Sequence, residues 1–173
     1  MRWIAALAAA AICIPAAGWA QEEMQAKCTG PSAAPPAEFS SWTVKTDLAA
    51  AAKADDLAKT EVKPGEAVMA HLHGTKEVAF VVQPEKPGGS VSHGGMIGLK
   101  IDQAGTYRVA IGSGAWLDVL KDGKILESTA HSPGPACSGI RKVVDFALQP
   151  GRYVIQISAN ADEQLPVLVA RRP

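Results

Sequence analysis

Gln103-Ala104-Gly105-Thr106-Tyr107-Arg108-Val109-Ala110-Ile111 returns in outline as Gln149-Pro150-Gly151-Arg152-Tyr153-Val154-Ile155-Gln156-Ile157. In each copy a glycine closes a turn, and Tyr, Val or Ile, and Ile then fall two apart on one face of a strand. Arg108 and Gln156 fall on the other face. Each copy leads into a second apolar run, Trp116-Leu117-Asp118-Val119-Leu120 after the first and Leu165-Pro166-Val167-Leu168-Val169 after the second. Proline cannot donate to a ladder, so the last run reads as an edge strand.

Short period-two runs bounded by Gly and Pro extend this pattern outward in both directions. Trp42-Thr43-Val44-Lys45, Val68–Leu72, Glu77–Val82, Met96–Ile101 and Arg141–Leu148 read as strands, and Asp122-Gly123 as a hairpin turn into Lys124-Ile125-Leu126. His73–Lys76 reads as a turn. Residues 47–59 carry strong helix formers behind Asp47 as a cap, which predicts one short helix. The expected fold is mainly β: an antiparallel jelly-roll or Greek-key β-sandwich of about nine sequentially local strands.

Upstream of the domain the pattern changes. Met1-Arg2 precedes an apolar, alanine-rich run to about Ala17, and Gly18-Trp19-Ala20 supplies a small-x-small site before polar Gln21-Glu22-Glu23. This is the secretory pattern, so residues 1–20 read as a signal peptide and the protein as periplasmic or extracellular. The run is too short for a membrane span, and no membrane insertion is expected after cleavage. Residues 21–41, with Pro31, Pro35 and Pro36, read as an extended N-terminal arm, and 42–173 as a single domain. Lys+Arg 17 balances Asp+Glu 17, which leaves no basic field for nucleic acid. Removing the leader leaves Cys28 and Cys137, read as one disulfide, with two free thiols as the alternative. Closing a loop of that order stabilises by roughly 4 to 5 kcal/mol in the loop-entropy picture.

The segment Ala104–Ile111 followed by Leu117-Asp118-Val119-Leu120-Lys121-Asp122-Gly123 resembles the pre-peptidase C-terminal domain family, as does the closing Leu148–Ile157 stretch. The resemblance covers residues 94–169. It implies a small secreted β-sandwich with a binding or targeting role, often accessory to a hydrolase.

Several residues are candidates for chemistry. His71-Leu72-His73 places two imidazoles on one strand face about 6 to 7 Å apart, a spacing that suits Zn, Cu, Ni or Fe. Gly65 through His71, His73 and Glu77 is similar to the first cupin metal motif, which implies those three as ligands, although Pro84 stands where that motif has a glycine. His93 and His131 are the candidates for a further ligand. The same histidines also read as ordinary polar residues near a strand end. Trp42 and Trp116 can stack on a flat ligand, Asp118 shares the face of Trp116, and His131, Arg141 and Lys142 can meet an anion. No catalytic set is read: a Gly-x-Ser-x-Gly elbow, a Cys-x-x-Cys pair and a phosphate loop are all missing from the sequence. The leading expectation is a non-catalytic sandwich binding a small molecule, a glycan or an envelope protein. The alternatives are a metal-binding protein or metal-dependent enzyme using the His-x-His site, and a structural envelope protein docking through an apolar edge at Leu165–Val169.

Overall fold

The computed structural model describes Cys28 and residues 34–173. The expected signal peptide and most of the expected arm lie outside the described residues. Twelve strands form among the described residues: β1 Lys45–Ala49, β2 Glu61–Val62, β3 Ala67–His71, β4 His73–Gly74, β5 His93–Ile101, β6 Gly105–Ile111, β7 Trp116–Lys121, β8 Lys124–Ile125, β9 Ala130–Pro133, β10 Lys142–Leu148, β11 Gly151–Asn160 and β12 Gln164–Arg171. They build two sheets, ordered β1-β3-β12-β6-β10-β9 and β2-β5-β11-β7-β8, with β4 against β5.

The repeated segment accounts for the core. Its first copy is β6 of one sheet and its second is β11 of the other, and Tyr107, Val109 and Ile111 share one buried cluster with Tyr153, Ile155 and Ile157. Each tyrosine also anchors its own turn. Tyr107 Oη donates to Gln103 O and Tyr153 Oη to Gln149 O, both at 2.8 Å. The repeat therefore encodes the same tyrosine-latched corner once per sheet, and the buried hydroxyls are satisfied by the turn that precedes them.

Strand partners differ from a local antiparallel meander. β1 runs parallel to β3 and β2 parallel to β5, and consecutive strands stay in one sheet only at β4 and β5, β7 and β8, and β9 and β10. Alternation sets which face of a strand is buried but does not choose its neighbour. β12 is not an edge strand, because it lies between β3 and β6. Pro166 is accommodated where β6 ends: its carbonyl accepts from Gly112 N at 3.1 Å, and its ring lies where a Cβ on Gly112 would meet it at 3.0 Å. Leu165, Val167, Leu168 and Val169 are consequently buried, which removes the apolar docking edge expected there.

Three short segments differ from their sequence reading. Residues 47–59 do not form one helix: Lys45–Ala49 pairs with β3, and only Ala54–Lys59 coils, as a 3₁₀ turn. Asp47 caps nothing and lies opposite Met69 in the ladder. Leu48 and Leu57 are too few to hold a helix against the sandwich, whereas the strand places Leu48 against the core. The run Trp42–Lys45 is not a strand from its start, because Ala37–Thr43 is a 3₁₀ helix. Its Phe39 and Trp42 bury against Ile140, Val143 and Leu168 in a second cluster on the outer face of the first sheet. Glu77–Val82 is a 3₁₀ turn and loop, held by a side chain instead of a ladder: Gln156 Oε1 accepts from Val81 N at 2.8 Å and Val82 N at 3.2 Å, and Gln156 Nε2 donates to Val82 O at 3.0 Å.

The disulfide between Cys28 and Cys137 is present, spanning 109 residues. It ties the chain ahead of the Phe39–Trp42 helix to the loop before β10, next to Gly139, where a Cβ would lie 3.4 Å from Trp42 Nε1.

Candidate functional site

β7 and β10 face each other across the sandwich, and each has only a short neighbour on its far side. β8 pairs with β7 at Leu120 and Lys121, leaving the Trp116–Asp118 end of β7 uncovered. β9 pairs with Lys142–Asp145 of β10. The gap between these edges is a cleft of about 400 Å³ lined by Trp116, Leu117, Asp118, Leu126, Ser128, His131, Lys142, Val144 and Phe146. That volume lies within the range of small-molecule sites. Glu85, Ile125 and Glu127 border its outward extension.

Strand alternation explains the lining. Leu117, Val144 and Phe146 point inward and belong to the main core cluster, so they form an apolar floor. Lys142 shares the Val144 face of β10, and His131 lies directly opposite Val144 in the β9–β10 register. Lys142 Nζ spans the opening and donates to Ala115 O at 3.0 Å. Trp116 and Asp118 alternate with Leu117 and rise on the outer side of β7, where Trp116 Nε1 donates to Asp118 Oδ1 and Oδ2, each at 3.1 Å.

Trp116 also carries two cations. Lys86 Nζ lies 4.8 Å and Lys142 Nζ 5.7 Å from the ring centroid, both within cation–π range. Lys86 is brought there by the loop that Gln156 holds, and Ser158 Oγ donates to Lys86 O at 2.8 Å. Asp118 is 7% exposed. Burial lifts its carboxyl above the usual carboxylate range and Glu85 adds to the rise, against the Trp116 N–H, which holds it down, and the weaker pull of Lys142. Burial pushes the Lys142 ammonium below the usual lysine range, with Lys86 acting in the same direction and Asp118 opposing.

Of the expected ligand-binding residues, Trp116, Asp118, His131 and Lys142 meet at this cleft, and two do not. Trp42 fills the second core, and Arg141 is exposed just before β10, outside the lining. Glu85, Lys86, Leu126 and the floor residues were not anticipated as site residues. The period-two pattern marked Leu117, Val144 and Phe146 as inward, but no local signal connected the 80s loop to β7.

The expected metal set does not assemble. His71 Nε2 lies 2.8 Å from Asp47 Oδ1 in an exposed contact between β3 and β1, while His73 Nε2 lies 2.8 Å from Ala50 O. Glu77 folds back beside Gly74, and His93 Nε2 is 4.0 Å from Glu163 Oε1 with its buried Nδ1 unpartnered. Among the described residues, no three His, Cys, Asp or Glu side chains gather to hold a metal ion. His71 and His73 are each turned to a different neighbour, so the His-x-His spacing does not become a chelate. Among the described residues no helix is long and apolar enough to cross a membrane.

Neither a known protein-family model nor a curated protein sequence matches this chain.

Proposed function

We propose that this chain is a periplasmic or extracellular binding protein that takes a small molecule, apolar at one end and polar at the other, into the β7–β10 cleft. One observation carries the proposal: an apolar floor of Leu117, Val144 and Phe146 is rimmed at a single opening by Trp116, Asp118, His131 and Lys142. Apolar lining with a few converging polar groups is the usual composition of a small-ligand site. A flat glycan platform suits the geometry less well, because the ring of Trp116 already carries two ammonium groups and its N–H is taken by Asp118. The disulfide supports an oxidising compartment, and the mostly antiparallel pairing supports the jelly-roll or Greek-key class.

Thermal-shift screening of small amphipathic compounds against the wild type and Ser128→Trp tests the proposal. Ser128 is exposed at the cleft wall, so the indole obstructs the opening without entering the core. Ligands are expected to raise the Tm of the wild type and to leave Ser128→Trp unmoved. An absence of shifts in the wild type, or equal shifts in both proteins, contradicts it.

A further inference from the structure

We infer that the cleft selects carboxylates: its ligand is a small aryl or alkyl monocarboxylate whose anionic head pairs with Lys142 and whose apolar body lies on Leu117, Val144 and Phe146. This rests on the binding role proposed above and names the ligand class for the same site.

The inference follows from how the charges around the opening are used. The Lys142 ammonium has three donors, and the structure gives it one acceptor, Ala115 O at 3.0 Å. None of the carboxylates among the described residues forms an ion pair with it. It is half-buried among apolar side chains, where an unpaired charge is costly and an added counter-ion offsets that cost. Asp118 borders the cleft and attracts Lys142 from a distance without pairing with it, since both of its oxygens face Trp116 Nε1 on the outer side of β7. That contact leaves the Asp118 carboxylate to fix the indole, and the indole in turn supports Lys142 and Lys86.

The charges nearest the apolar floor point the same way. A cationic ligand entering the cleft would meet Lys142 at the rim and Lys86 at the indole, while the carboxylates of Glu85 and Glu127 stand apart at the outer extension. An anionic head at Lys142 also finds the exposed imidazole of His131 on the neighbouring strand β9, which supplies a second N–H. Below the head only apolar side chains are reached, so a second charge on the ligand would find no partner there. A single carboxylate on an apolar body is the complement of this lining.

Calorimetric titration of the full chain with 4-phenylbutanoate, 4-phenylbutanamide and 4-phenylbutylamine tests the class with one body and three heads. The acid is expected to bind about tenfold or more tighter than the amide, with the amine weakest. In Lys142→Met the acid should lose that advantage while the amide keeps its affinity, and in Lys142→Arg the advantage should persist. Equal binding of acid and amide, preferred binding of the amine, or an acid preference that survives Lys142→Met overturns the inference and leaves the cleft as a binding site. Absence of binding by all three overturns both the inference and the binding role proposed for the cleft.

Discussion

At the residue scale the two corner tyrosines and the Trp116–Asp118 pair make separable claims. Each tyrosine hydroxyl is held by one carbonyl four residues upstream, so Tyr107→Phe and Tyr153→Phe should each destabilise the protein by about 1 kcal/mol in denaturant unfolding. Gln149 N also donates to Tyr153 Oη at 3.0 Å, so Tyr153→Phe removes an acceptor as well as a donor and should be the more costly. Asp118 gives a pH signature. Its native carboxyl titrates above the unfolded value of about 3.9, so the folded state binds the proton more tightly than the unfolded state. Its contribution to stability therefore falls as pH rises from the unfolded value through the raised native one. Asp118→Asn removes that fall while keeping an acceptor for Trp116 Nε1. The difference between wild-type and variant stability, followed from pH 3 upward by chemical denaturation, should move against the wild type as pH rises. A difference that stays flat contradicts the assignment of burial as the dominant influence on this carboxylate.

At the scale of elements, the loop over the outer face of the second sheet is tied to β11 by the side chains of Gln156 and Ser158. Gln156 satisfies two backbone N–H groups and one carbonyl of Val81 and Val82, and Gly94 leaves the room that the ring of Phe80 occupies, 3.0 Å from where a Cβ would be. Gln156→Ala should cost about 2 to 3 kcal/mol and accelerate hydrogen exchange at Val81 and Val82, with β6 and β12 unaffected. The same loop shows what could be read in the sequence. Val78, Phe80 and Val82 alternate as a strand does, and the reason they do not pair is a glutamine more than seventy residues later, which no local pattern reveals. The repeat around Tyr107 and Tyr153 was legible because turn chemistry, alternation and burial all lie within nine consecutive residues. The 47–59 segment misled for the opposite reason: alanine-rich propensity favours a helix there, and pairing with β3 overrides it. Within the cleft, Trp116 and Asp118 could be placed together by their spacing, whereas the meeting of β7 with Lys142 and His131 depends on sheet order.

At the scale of the molecule, two layers enclose the cleft and one crosslink lies on the far side of the first sheet. The 3₁₀ helix with Phe39 and Trp42 covers the first sheet, Glu38 reaches Arg108 at 3.0 Å, and the Cys28–Cys137 bridge closes the chain across 109 residues. Replacing both cysteines with serine should lower stability by about 3 to 5 kcal/mol and loosen the Phe39–Trp42 cover, while the β7–β10 opening on the other side of β10's sheet keeps its lining. Ligand binding in the double variant, corrected for the lower stability, should therefore match the wild type. The most direct measurement follows the indole N–H signals of Trp42 and Trp116 in a ¹⁵N–¹H spectrum during titration with 4-phenylbutanoate, with Trp42→Phe and Trp116→Phe supplying the assignments. A saturable shift of the Trp116 signal, with Trp42 unmoved, is the expected result; a Trp116 signal that stays in place throughout the titration contradicts the cleft as the site of function.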